Sequence, residues 1–209
     1  TIIDHHASPS CTGGSLDVAN SVTVGGEGAA VVLTMSGGRI QIGSGGLAVK
    51  DGGNLRASQG ATMEGSLINE TGGTVVIGGG MVSVTGSVTN HGVMRVVNGA
   101  AFAVSGAFVN HGVLDIMTGT QTLPPGFINN GTVLDSSLVR TDSAEKTGGA
   151  LTVTIHGYTG HNYRMEWAES PAGPWTPVGE AQAGAGAPLV FIDAGATSDR
   201  KFYRIGVSP

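Results

Sequence analysis

Short runs of alternating apolar residues, frequent glycine and a recurrence near 20 residues together predict an all-β chain: a short parallel β-helix followed by a small antiparallel β-sandwich. Of 209 residues, 37 are Gly, more than twice the usual ~7%. Charged residues make up 12% and aromatics 5%, against ~25% charge in an average domain. A helical enzyme domain does not have this composition, because each Gly in a helix interior costs ~1 kcal/mol. The glycines follow no three-residue period, which excludes collagen. A hydrophobic content of 40% is too high for a disordered linker and predicts a buried core.

Charge and hydropathy exclude two classes of partner. Ten Lys and Arg against fifteen Asp and Glu, for a net charge of −5, give no electrostatic footprint for nucleic acid or an anionic membrane. No apolar stretch approaches the ~18 residues of a membrane-spanning helix, so no membrane insertion is expected. The start Thr1-Ile2-Ile3, without Met, basic region or apolar run, reads as a processed or trimmed mature end, and a removed secretory leader is the expectation. The predicted locale is extracellular or the cell surface.

In chain order, residues 1–14 read as an N-terminal arm, apolar at Ile2 and Ile3 and carrying the single cysteine, Cys11. One cysteine cannot form an internal disulfide; it is inert or free for an intermolecular bond. Residues 15–140 read as the β-helix. Its early part, Ser21 to Gly26, Ala30 to Gly38 and Arg39 to Gly43, consists of short strands between glycine corners.

The later part repeats openly. Gly65-Ser66-Leu67-Ile68-Asn69, Gly86-Ser87-Val88-Thr89-Asn90, Gly106-Ala107-Phe108-Val109-Asn110 and Gly126-Phe127-Ile128-Asn129 end in Asn at spacings of 21, 20 and 19 residues. A period of ~20 is that of solenoid coils. After each Asn comes a turn and a new strand, as in Asn90-His91-Gly92-Val93 and Asn110-His111-Gly112-Val113; Asn and Gly tolerate positive φ, so the triplet reads as turn chemistry. Met94 and Val96 correspond to Leu114 and Ile116, while Arg95 and Asp115 between them should face water. Val88, Phe108 and Phe127 share a repeat position and should stack internally. At ~20 residues per coil and ~4.8 Å per coil, the region predicts about six coils.

Residues 141–149, with Asp142-Ser143 and Gly148-Gly149, have the polarity of a linker. Composition changes here. Before it the aromatics are Phe102, Phe108 and Phe127; after it come Tyr158, Tyr163, Trp167, Trp175, Phe191, Phe202 and Tyr203. Residues 150–209 contain five period-2 runs, at 151–155, 162–167, 177–180, 189–193 and 201–207, and read as the sandwich.

The stretches Val22-Thr23-Val24-Gly25-Gly26 to Leu33-Thr34-Met35-Ser36-Gly37-Gly38, followed by the Asn-His-Gly-Val turns, resemble secreted bacterial parallel β-helix proteins with autotransporter-associated-type repeats. The resemblance covers residues ~15 to 135 and implies passenger, adhesive or scaffold roles outside the cell; it supplies no catalytic residues. Tyr163-Arg164-Met165-Glu166 with Ser170 to Trp175, closing on Phe202-Tyr203-Arg204, resembles the small fibronectin-like modules that end many secreted bacterial proteins.

Candidate chemistry is sparse. Asn69, Asn90, Asn110 and Asn129 should lie one above another as a structural amide ladder. His91 and His111 share the next position, but the equivalent residues are Glu70 and Asn130, and a metal needs three or four ligands. Asp4-His5-His6 is equally short of ligands, so no metal and no cofactor is predicted. Arg95 and Asp115 should pair across successive coils. The carboxylates Asp17, Glu27, Asp51, Glu64, Glu70, Asp115 and Asp135 are scattered rather than clustered, and no catalytic residue is assigned. Asn69-Glu70-Thr71 and Asn130-Gly131-Thr132 match the N-glycosylation pattern, although use in a bacterial-type repeat is not expected. Tyr163 and Trp175 are the side chains that could stack on a sugar ring, with core packing as the alternative.

The function these features predict is that of an extracellular, non-enzymatic structural protein whose partners are copies of itself, joined head to tail when the arm with Ile2, Ile3 and Cys11 adds a strand to a neighbour's sandwich. A carbohydrate- or surface-binding adhesin, with a cell-surface glycan as partner, is the alternative; a polysaccharide-cleaving enzyme comes third.

Overall fold

A computed structural model describes residues 2–3, 9–28, 30–119, 123–197 and 200–209. The chain divides into two units, Thr1–Asp135 and Ser136–Pro209.

The first unit is a parallel β-solenoid of about six coils whose walls are three sheets. The first sheet stacks Ile2–Ile3, Ser21–Val24, Gly46–Val49, Leu67–Asn69, Val88–Asn90, Phe108–Asn110 and Ile128–Asn129. The second stacks Ser10–Thr12, Val31–Ser36, Gly53–Ser58, Thr74–Gly78, Val93–Val97, Val113–Asp115 and Thr132–Leu134. The third stacks Ser15–Val18, Arg39–Ile42, Thr62–Glu64, Met81–Val84 and Ala101–Val104. Each strand between the two ends of a sheet pairs with its copies in the coils above and below, so the alternation of a single strand becomes a set of columns running along the stack.

The inward columns form the core. Val22, Leu47, Leu67, Val88 and Phe108 align in the first sheet, and Leu33, Leu55, Val75, Met94 and Leu114 in the second. All ten are buried, each contributing ~1.5–3 kcal/mol for Val, Leu, Met or Phe. Phe108 sits edge-on between Phe102 and Phe127, with centroids 6.0 and 5.0 Å away.

The strands Ile2–Ile3 and Ser10–Thr12 of the expected arm are part of the solenoid. Ile2 and Ile3 align with Thr23 and Val24 of their own chain, one coil later, and Cys11 aligns with Met35. Residues 1–12 contain no glycine and no Asn corner, so the repeat is not visible in their sequence although the strands Ile2–Ile3 and Ser10–Thr12 continue the sheets. Asp4, His5 and His6 lie outside the described residues.

Among its described residues the second unit has six strands rather than five, in two antiparallel sheets. One runs Thr141–Thr147, Ala150–Gly157, Ala187–Asp193; the other runs Thr176–Ala183, Asn162–Ala168, Phe202–Ser208. The segment read as a linker, 141–149, is therefore the first strand and its hairpin turn. All seven residues of Thr141–Thr147 are exposed, which gives an edge strand the polarity of a linker. Gly148 and Gly149, both at positive φ (59° and 84°), make the two-residue turn that such a hairpin favours. Val153, Ile155 and Phe191 from one sheet and Tyr163 and Met165 from the other are buried. A slot lined by Ala144, Leu151, Val153, Met165 and Ile205 lies between the two sheets.

Candidate functional site

The Asn column is a hydrogen-bonded ladder. Asn69 Nδ2 donates to Asn90 Oδ1 at 2.7 Å, Asn90 Nδ2 to Asn110 Oδ1 at 2.7 Å, and Asn110 Nδ2 to Asn129 Oδ1 at 2.8 Å. The same amides donate to the carbonyls of Val93, Val113 and Thr132 in the following strands. Asn69, Asn90 and Asn110 are fully buried, so these bonds replace lost hydration. The preceding coil carries Val49 at this position, and among the described residues Asn69 Oδ1 has no hydrogen-bond partner. Burial also closes Asn69 to glycosylation.

The triplet after each Asn works by close approach. Gly92, Gly112 and Gly131 do not adopt positive φ; a Cβ at Gly112 would collide with the Gly92 carbonyl, and one at Gly131 with that of Gly112. Glycine is needed there because consecutive corners touch. Just outside, His91 and His111 stack with centroids 4.7 Å apart and planes at 6°. Both are exposed, and in-plane lone pairs on parallel rings do not converge on one ion. Among the described residues no group of three or more His, Cys, Asp or Glu is placed to hold a metal.

Coil-to-coil ion pairs reinforce the walls. Arg95 and Asp115 are register partners with Nε and Oδ2 at 3.6 Å, yet Asp115 is only 1% exposed rather than facing water. The strand stops at Asp115, and the following turn brings the Met117 N–H onto its Oδ1. Arg39 donates from Nε and Nη2 to the two oxygens of Glu64 at 2.6 and 2.7 Å, a fork-to-fork pair whose hydrogen bonds hold the Glu64 carboxyl below its usual range. That pair needs the register of two strands 25 residues apart and left no local signal.

The second unit holds two polar clusters. In one, Lys201 Nζ and the Tyr203 hydroxyl donate to Asp193 Oδ2 at 2.9 and 2.8 Å, and the Gly195 N–H donates to Oδ1 at 2.8 Å. Burial pushes the Asp193 carboxyl up, but these donors outweigh it and hold it below its ordinary value. Burial and then the Asp193 carboxylate push the Tyr203 phenol strongly up. Lys201 also lies 4.3 Å from the Trp167 ring centroid. In the other cluster Arg204 Nε donates to Glu166 Oε2 at 2.7 Å, Arg164 Nη2 lies 3.5 Å from Glu166 Oε1, and the Arg204 guanidinium sits 4.5 Å over Trp175.

Of the aromatic candidates, Tyr163 is fully buried, its hydroxyl accepting the Tyr158 N–H at 2.9 Å; it cannot stack on a sugar. Trp175 is half-buried beside Arg204. Cys11 is a free, half-buried thiol near the Gly13 carbonyl. The alternation Arg164, Glu166 was a readable sign of one strand face, but Arg204 joins it only across the sheet. In comparisons with family models, curated proteins and solved structures, nothing matches this chain.

Proposed function

We propose that the chain is an extracellular, non-catalytic structural protein that stacks head to tail with copies of itself through its solenoid. One observation carries this reading. Leu16 belongs to the inward column of the third sheet, aligned with Ile40 and Met63; those two are 0% and 1% exposed, whereas Leu16 is 45% exposed. An inward apolar position on an edge strand is a surface on which a further coil stacks, and a second copy supplies one through its opposite edge strands. The use of buried amides for coil register and the likeness of the repeats to secreted β-helix proteins support the structural and extracellular parts. Because Ile2–Ile3 pairs within its own chain, strand donation by an arm is not the mechanism. A second reading, a surface-binding adhesin module, draws support from an arginine-flanked depression on the C-terminal unit.

Light scattering over a concentration series, with negative-stain microscopy, tests the assembly. Rods that lengthen with concentration and revert to monomer in Leu16→Asp are expected. A monomeric wild-type protein at every concentration overturns the reading.

A further inference from the structure

The outer face of the sheet Thr176–Ala183, Asn162–Ala168, Phe202–Ser208 carries a depression of about 290 Å³ whose walls include Asn162, Arg164, Glu166, Arg204 and Ser208 and whose floor is Gly206. Register explains how it forms. Arg164 lies opposite Gly206, Glu166 opposite Arg204, and Asn162 opposite Ser208, so a missing side chain at 206 leaves a gap between charged neighbours.

Gly206 is not required by the backbone. It sits inside a strand, where glycine is destabilising by ~0.5–1 kcal/mol, and it does not adopt positive φ. A Cβ there would meet its nearest atom, Glu166 Oε2, at 3.7 Å, an ordinary contact. The solenoid glycine Gly112 differs, since its Cβ would strike a carbonyl. With neither a bulge nor positive φ at Gly206, what remains of the usual meanings of a strand glycine is close approach of a ligand or another backbone.

The walls identify the visitor. Two guanidiniums flank one carboxylate, leaving a surplus positive charge in a chain of net charge −5. The pairing with Glu166 uses Nε of Arg204 and Nη2 of Arg164, and both side chains are about half exposed, at 50% and 47%. Their remaining donors form planar forks that match a carboxylate. The Asn162 amide and Ser208 hydroxyl suit sugar hydroxyls, and the Gly206 floor with the Ala181 wall offers a small apolar patch for a ring face. We propose that this depression binds the uronic-acid units of an acidic polysaccharide, an activity that goes beyond the structural role above and does not depend on assembly.

Calorimetry of the full chain with tetragalacturonate, neutral galactotetraose and inorganic phosphate tests it. Tetragalacturonate should bind about tenfold or more tighter than the neutral sugar, the gain expected of a charge-assisted pair, and salt should weaken it. Gly206→Leu, which fills the depression, should lower affinity about tenfold or more with an unchanged circular dichroism spectrum. Arg164→Gln, at an exposed position, should do the same and decides the matter if Gly206→Leu fails to fold. Absent binding of tetragalacturonate, equal affinity for the neutral sugar, phosphate binding as tightly, or affinity unmoved by either folded variant overturns the proposal.

Discussion

The two units keep their register by different means. In the solenoid a contact made once is made again one coil later: Asn on Asn, His on His, Gly under Gly. In the C-terminal unit the polar contacts are singular, Asp193 with Lys201 and Tyr203, Glu166 with two arginines. Repetition means that one unsuitable side chain disturbs the coils on both sides. Singular contacts confine the damage but depend on distant strands meeting once, in one arrangement.

Four experiments test that contrast. Both tryptophans, Trp167 and Trp175, lie in the second unit, so tryptophan fluorescence follows that unit while far-ultraviolet dichroism follows both. Asn110→Ala breaks the ladder on two sides and should destabilise the solenoid by about 3 kcal/mol, since each buried polar group left unpaired costs ~1–3 kcal/mol. The fluorescence transition should stay where it is. A dichroism melt that does not move would remove the ladder as a source of stability.

Two glycine-to-alanine changes come next. Gly112→Ala forces a methyl against the Gly92 carbonyl and should destabilise by about 2 kcal/mol. Gly206→Ala meets no such obstacle and should stabilise by about 0.5 kcal/mol, through lower backbone entropy of the unfolded chain. Equal effects from urea titrations of the two variants would erase the distinction between crowded and open glycines.

Acid probes the singular contacts of the second unit. The folded Asp193 carboxyl is held below its ordinary value, so its contribution is present above the unfolded value near ~3.9 and is lost as pH falls through the folded one. Lys201→Met removes a donor that lowers this pKa, and acid unfolding of the second unit, followed by fluorescence, should then begin at higher pH. An unshifted acid midpoint would mean that Lys201 contributes nothing to that linkage. The smallest effect belongs to His111→Ala, an exposed stacked ring, expected to change stability by less than ~0.5 kcal/mol; a loss comparable to that of Asn110→Ala would make the imidazole stack a structural element.

Residues 65–134 announced their coils because the repeat places the same residue type in the same environment each time, so a local pattern carries non-local information. The alternation Leu67, Asn69 and Val88, Asn90 already specified which side chains turn inward. Residues 1–12 carried no such recurrence, and Thr141–Thr147 is an edge strand with every residue in water, which no hydrophobic period marks. The Asn-His-Gly triplets were legible as corners, but not the reason for their glycines, since the colliding carbonyl belongs to another coil.

Composition and period were enough for the all-β class, the coil length of ~20 residues and the Asn column, since these follow from residue preferences acting over a few positions and then repeating. The burial of Asp115, the Arg39–Glu64 fork and the gap at Gly206 between Arg164 and Arg204 arose only when distant strands were set side by side. Their chemistry depends on which residue stands opposite which, and a single strand does not carry its partner's register.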